Sequence, residues 1–163
     1  MNNKKWRGLN KMSLEEEVFN LCTKVIETKQ PNFSGIGLVV YDTATFDESR
    51  HCNLRPDITC PPYRVDDERI VDYLMEISDY HNTLHDGFHM VNEKGILTHV
   101  AQYFVPPVIN GVMPNQYHGV RFHSSLCGST LEGVLFIAII CSDESIYILK
   151  DGKVVMKKEI NYV

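Results

Sequence analysis

Two stretches of this chain, Gly35-Ile36-Gly37-Leu38-Val39-Val40-Tyr41 and Val134-Leu135-Phe136-Ile137-Ala138-Ile139-Ile140, carry no charged residue over the full length of a strand. A strand with one wet face alternates apolar and polar residues, whereas a continuous apolar run belongs to a strand covered on both faces. The first run is therefore expected at the centre of a sheet and the second as a buried strand. A sheet covered on both faces needs helices above and below it.

The sequence supplies them. Ser13-Leu14-Glu15-Glu16 reads as a capping box, followed by Leu14, Val18, Leu21, Cys22 and Val25 on one helical stripe that Gln30-Pro31 ends. Asp66 or Asp67 caps a second helix whose Ile70, Leu74 and Ile77 face inward, and Val120 to Leu131 reads as a third. Phe88 to Val91 and Ile96 to Val100 form a hairpin around 92–95, and Ile146 to Leu149 pairs with Lys153 to Met156 around Asp151-Gly152. The expected class is α/β, with a mixed, largely buried β-sheet flanked by helices. Residues 1–12 are expected as a flexible N-terminal arm and 13–163 as one domain. Between Asp42 and Tyr63 no period is sustained, so that segment reads as a long irregular connection.

A formal charge of −5 excludes a protein that coats duplex nucleic acid, since such binding rests on a surplus of Lys and Arg. The run ending at Cys141 is shorter than the ~20 apolar residues that cross a bilayer, so no membrane anchor is expected. The five cysteines Cys22, Cys52, Cys60, Cys127 and Cys141 are odd in number and form no CxxC, which fits reduced thiols and a cytoplasmic location. The spacing of His51, Cys52 and Cys60 matches no common zinc site.

Four short motifs carry the candidate chemistry. Leu84-His85-Asp86-Gly87 precedes a strand, where a carboxylate offers a hard oxygen ligand and the glycine admits a phosphate close to the backbone. Gly119-Val120-Arg121-Phe122-His123 opens a helix, Ser142-Asp143-Glu144 follows the buried strand, and Asp151-Gly152-Lys153 lies in the last hairpin. In this order the motifs resemble the catalytic domain of the diadenylate cyclases, the DAC or DisA_N family, which joins two ATP molecules into cyclic di-AMP. The resemblance covers residues 84–155.

The resemblance implies catalytic roles for Asp86, Gly87 and Arg121, and implies that Asp86 and Glu144 hold Mg²⁺ or Mn²⁺ if the site is catalytic. It places Phe88, Gly119, Arg121, His123, Ser124, Ser125 and Ser142 around a nucleotide, with the two serines offering hydroxyls and amides at a helix start. The implied partners are an adenine nucleotide or cyclic dinucleotide and a second, facing copy of the chain. The departures are specific. The family's Thr-Arg-His-Arg stands here as Val120-Arg121-Phe122-His123, so one permanent cation remains where the family has two. Phe88 replaces an alanine, and its ring either fills ligand space or stacks on a base.

Three readings follow. The first is a divergent nucleotide-binding or sensor domain with weak or no cyclase activity, the second an active diadenylate cyclase. The third is a domain without nucleotide: an interaction module using the aromatics of Tyr103 to His123, or a metallohydrolase built on His81, His85, His89 and His99. His85 and His89 would stand ~13 Å apart on a strand, too far to share one ion.

Overall fold

A computed structural model describes residues 10–112 and 118–159. Of the arm expected over 1–12, residues 1–9 lie outside the described residues and Asn10 to Met12 are exposed coil. Of the aromatic stretch from Tyr103 to His123, residues 113–117 lie outside the described residues.

Helix α1 spans Leu14–Thr28. Its capping box is complete: Glu16 N donates to Ser13 Oγ at 3.2 Å and Ser13 N donates to Glu16 Oε2 at 3.0 Å. Val18, Leu21, Cys22 and Val25 are buried along one stripe, each of the larger apolar side chains contributing about 1.5–3 kcal/mol. Helix α2, Glu68–Ile77, starts at Asp67, whose carboxylate accepts from Arg69 N at 2.9 Å, and buries Ile70, Val71, Leu74 and Ile77. Helix α3 spans Val120–Gly128. It is shorter than expected because Ser129 leaves the helix, its hydroxyl donating to Leu126 O while accepting from Gly152 N.

The strands are β1 (Ile36–Tyr41), β2 (His51–Asn53), β3 (Phe88–Asn92), β4 (Leu97–Phe104), β5 (Val134–Ile140), β6 (Ile146–Lys150) and β7 (Lys153–Lys158). They form one sheet in the order β2-β4-β3-β1-β5-β6-β7. β1 is buried at all six positions, runs parallel to β3 and antiparallel to β5, and every other pairing is antiparallel. Helices α1 and α2 pack on one face with Ile36, Leu38, Val40, Ala138 and Ile140, and α3 covers the other with Val39, Phe88, Phe104, Ile137 and Ile139. The expected two-sided burial is present, and the class is mixed α/β.

The segment from Asp42 to Tyr63 is more ordered than its composition suggests. A 3-10 turn at Glu48–Arg50 leads into β2, which pairs His51 with Phe104 and Asn53 with Gln102 at one edge of the sheet. Three residues are too few to show a period, and the partner lies on a part of β4 beyond the expected end at Val100. β4 continues past a bulge at Ala101, a non-glycine residue at φ +50°. His51 is occupied in this edge: Nδ1 lies 2.8 Å from Gln102 Oε1 and Nε2 lies 2.8 Å from Glu48 Oε2. All five cysteines are free thiols.

The bulge is stabilised by His89, which is buried in β3 and accepts the Ala101 amide at Nδ1 across 3.1 Å. Burial, reinforced by the charge of Arg121, pushes its pKa down to about 3. Folded His89 thus stays neutral where an unfolded histidine, at about 6.5, takes a proton. Its contribution to stability is present above pH 6.5 and is lost as the pH falls toward 3.

Two outcomes follow for the fold. Ser13→Ala removes the α1 cap and lowers the free energy of unfolding in denaturant by about 1 kcal/mol. Between pH 6 and 4 the stability of the natural chain declines more steeply than that of His89→Asn, by up to about 1.4 kcal/mol per pH unit. Parallel profiles for the two proteins would contradict the assignment.

Candidate functional site

The mixed pairing brings distant motifs to one end of the sheet. Because β1 and β3 are parallel, Ser34-Gly35 and Asp86-Gly87 precede their strands at the same end, and antiparallel β5 delivers Ile140-Cys141-Ser142 there. Helix α3 opens at this end, where Arg121 Nη1 donates to Ser34 O at 3.3 Å. Lys29, at the C-terminal cap of α1, reaches the β5–β6 turn and forms an ion pair with Glu144.

Arg121 lies against bare strand backbone. A Cβ on Gly35, which has φ +89°, would fall 2.7 Å from Arg121 Nη1 and 2.7 Å from Ile140 O. At Gly37 it would fall 2.6 Å from the Phe88 ring and 3.4 Å from Arg121 Cδ. The two glycines therefore make room for a cation and a phenyl ring rather than forming a phosphate loop. The guanidinium opens onto a cavity of about 160 Å³ lined by Ser34, Gly119, Phe122, Cys141 and Ser142. A larger groove of about 550 Å³ adjoins it across Phe122, with His118, Tyr147, Met156, Lys157 and Glu159 in its walls.

The electrostatics centre on the same side chain. Burial lowers the pKa of Arg121, and the carboxylate of Asp86 acts in the opposite direction. A guanidinium stays charged regardless, so a half-buried positive charge faces the cavity with one long hydrogen bond among the described residues. Helix α3 adds to this field. Its N-cap, Gly119, provides no side-chain acceptor for the first-turn amides, which leaves the helix N-terminus suited to an anion. Burial and the neighbouring Asp143 push the Cys141 thiol up to about 11, so it lines the cavity as a neutral group at physiological pH.

The expected site residues divide in two. Asp86, Gly87, Gly119, Arg121, Ser142 and Glu144 lie at the gathered end. Asp86 is exposed, with Oδ1 accepting from the Gly87 amide at 2.9 Å, and Ser142 is exposed at the cavity rim. The others point elsewhere or are used internally. Phe88 is buried against Phe104, with ring centroids 5.4 Å apart, so it fills core space instead of offering a face to a base. Ser125 is fully buried and its hydroxyl donates to Arg121 O at 2.6 Å, a back-bond within α3. His123 packs its ring near the Cys127 sulfur, 3.9 Å away, and Ser124 is half-buried on the same helix. The histidines of the hydrolase reading do not converge: His89 holds the bulge, His85 stacks on Tyr80 and His81 pairs with Asp79.

Mg²⁺ and Mn²⁺ take several oxygen ligands grouped around one point. Glu144 is held by the Lys29 ammonium, and among the described residues no group of three or more His, Cys, Asp or Glu is placed to hold an ion. A divalent ion would have to expel Lys29 from Glu144. The arrangement does not fit a resident metal.

Lys29, Ser34, His118 and Tyr147 were not among the expected site residues. Ser34 could have been suspected from its place before the apolar run. Lys29 meets Glu144 only through the packing of α1 on the sheet, which no local pattern reveals.

No protein-family model and no curated protein matches the chain. Solved structures do. One is described as a hypothetical membrane spanning protein from Bacillus cereus; it superposes with a TM-score of 0.55 at 15% identity, over 86% of this chain and 59% of that one. The chain thus spans 59% of that structure's length. Another is DacA from Staphylococcus aureus, in a double-mutant form, with a TM-score of 0.54 at 16% identity, over 90% of this chain and 88% of that one. Identities this low speak for the fold alone: the seven-stranded mixed sheet with its flanking helices matches that of DacA.

Proposed function

We propose that this chain is a divergent DAC-like domain that binds an adenine nucleotide or a cyclic dinucleotide as a sensor or regulatory unit, with weak or no cyclase activity. One observation carries the reading: the charged Arg121 and the uncapped N-terminus of α3 converge on one small cavity at the shared strand ends. An arginine fork and orphan helix amides are complementary to phosphate oxygens. The adjoining groove has the size of a small-ligand site and offers apolar and aromatic walls suited to a nucleoside.

Weak or absent turnover is supported by what surrounds Arg121. Phe122, at the position of the family's histidine, is buried with the His118 ring stacked on it at 3.9 Å and Tyr147 set edge-on. That position supplies neither charge nor a transferable proton. His123, at the position of the second arginine, offers no bidentate fork. Phosphoryl transfer depends on positioning and on charge neutralisation at the phosphates, and both are reduced here. The diadenylate cyclase reading survives as an outcome of the test.

Titrating the protein with ATP, ADP, cyclic di-AMP and cyclic di-GMP should raise its melting temperature with at least one of them. A ligand at a hundredfold excess over its Kd stabilises by about 2.7 kcal/mol, and Arg121→Met should remove most of that shift. Incubation with ATP and Mn²⁺ should yield little or no cyclic di-AMP; robust product that Asp86→Asn abolishes would establish the cyclase. Unchanged melting with all four nucleotides would remove the nucleotide reading.

A further inference from the structure

We infer that the ammonium of Lys29 takes the place of a divalent cation at Glu144, so that this end of the sheet carries a built-in monovalent cation and recruits no Mg²⁺ or Mn²⁺. Three observations converge on Glu144. Its carboxylate is in direct contact with Lys29 Nζ, both side chains being partly shielded from solvent, with exposures of 22% and 35%. Its backbone sits at φ +73°, a left-handed conformation that costs a β-carbon-bearing residue free energy and that glycine or asparagine would accept readily. The turn around it is held on all sides: Glu144 N donates to Cys141 O at 2.9 Å, Cys141 N to Ser145 O at 2.9 Å, and Ser145 N to Asp143 Oδ1 at 3.0 Å. The strained backbone and the tightly bonded turn hold the Glu144 carboxylate in one place, and in this chain it engages a lysine there.

The lysine is placed with similar economy. It caps the C-terminus of α1, where its charge also meets the negative end of the helix dipole, and its own amide donates to Ile26 O. Its ammonium is a compact, strongly hydrated point charge that neutralises a carboxylate through N–H donors, with half the charge of a divalent ion and no Lewis-acid coordination of phosphate oxygens. A metal approaching Glu144 therefore competes with a tethered cation whose effective concentration does not fall on dilution. With Glu144 neutralised, the exposed carboxylates of Asp86 and Asp143 remain, Asp143 already accepting the Ser145 amide at 3.0 Å, and among the described residues no three such donors are grouped to hold an ion.

As a statement about the ligand, the inference rests on the nucleotide-binding reading: the nucleotide would bind without metal. As a statement about the metal, it stands alone and is tested without nucleotide. Mn²⁺ binding to the full chain, followed by the loss of the free-ion electron paramagnetic resonance signal, should be weak for the natural protein and for Lys29→Arg. Lys29→Met should bind at least about tenfold more tightly, the factor that ~1.4 kcal/mol of removed competition gives. The gain should disappear in Lys29→Met/Glu144→Gln, with circular dichroism confirming that each variant is folded. Equal Mn²⁺ affinity for the natural protein and Lys29→Met, whether tight or weak, overturns the inference, as does a gain that survives in the double variant. Calorimetry in EDTA and in Mn²⁺ with ATP, ADP, cyclic di-AMP and cyclic di-GMP separates the two claims: equal heats in both media support metal-free binding, heat only with Mn²⁺ overturns it, and no heat with any of the four removes the nucleotide reading while the Mn²⁺ result still decides the role of Lys29.

Discussion

The pairing of β1 with a parallel neighbour on one edge and an antiparallel neighbour on the other is the constraint on which the rest depends. Parallel β3 fixes the starts of two strands at one end of the sheet, and antiparallel β5 brings its finish to the same place. Three loops distant in sequence, 34–35, 86–87 and 141–144, are thereby neighbours whatever their side chains. In open parallel sheets ligands favour the carboxyl ends of the strands. Here the gathered residues lie at the amino ends of the parallel pair, which antiparallel β5 turns into a strand finish followed by a turn. The two-sided burial of β1 and β5 keeps this end in register, because a slip of one residue would exchange the residues facing α1 with those facing α3.

Within that frame a few charges settle the character of the site. Burying a guanidinium is costly unless something compensates, and among the described residues the compensation around Arg121 is Ser34 O at 3.3 Å and the field of Asp86. The same positive charge helps to keep His89 neutral, which suits it to accept the Ala101 amide. Site and fold are therefore coupled electrostatically. Opposite behaviour marks the other charged pair at this end, where Lys29 and Glu144 largely cancel each other. Among the described residues, positive potential is concentrated at Arg121 and the N-terminus of α3.

Much of the fold was legible because it rests on local pattern. The capping box at Ser13, the stripe of α1, the unbroken run of β1 and the turn at Asp151-Gly152 are each determined within a few residues and are found as read. Strand β2 and the far half of β4 were not legible, because their pairing begins beyond a bulge that depends on His89, a residue twelve positions away on another strand. The site was legible as a set of motifs but not as a set of roles. Asp86, Arg121 and Glu144 do meet at one end, yet nothing in the sequence tells that Glu144 faces Lys29. Phe88 and Ser125 were candidates by position, and packing assigned one to the core and the other to a helix back-bond.

Phe122 has consequences that reach past its own position. A polar residue there would have to be desolvated between α3 and β6 or turn toward the cavity, whereas phenylalanine is stable where it stands, with His118 stacked on it and Tyr147 against its edge. Tyr147 is in turn fixed by its hydroxyl, which donates to Glu159 Oε1 at 3.1 Å and lies 3.2 Å from His118 Nε2. This aromatic cluster anchors the start of α3 to β6 and separates the small cavity at Arg121 from the larger groove beside β7. A ligand using both spaces must bend around Phe122, with its anionic part at Arg121 and its apolar part along Tyr147 and Met156. Phe122→His would therefore disturb the partition between the two spaces as well as change the chemistry at one of them. The wall that shapes the groove is built from that same ring.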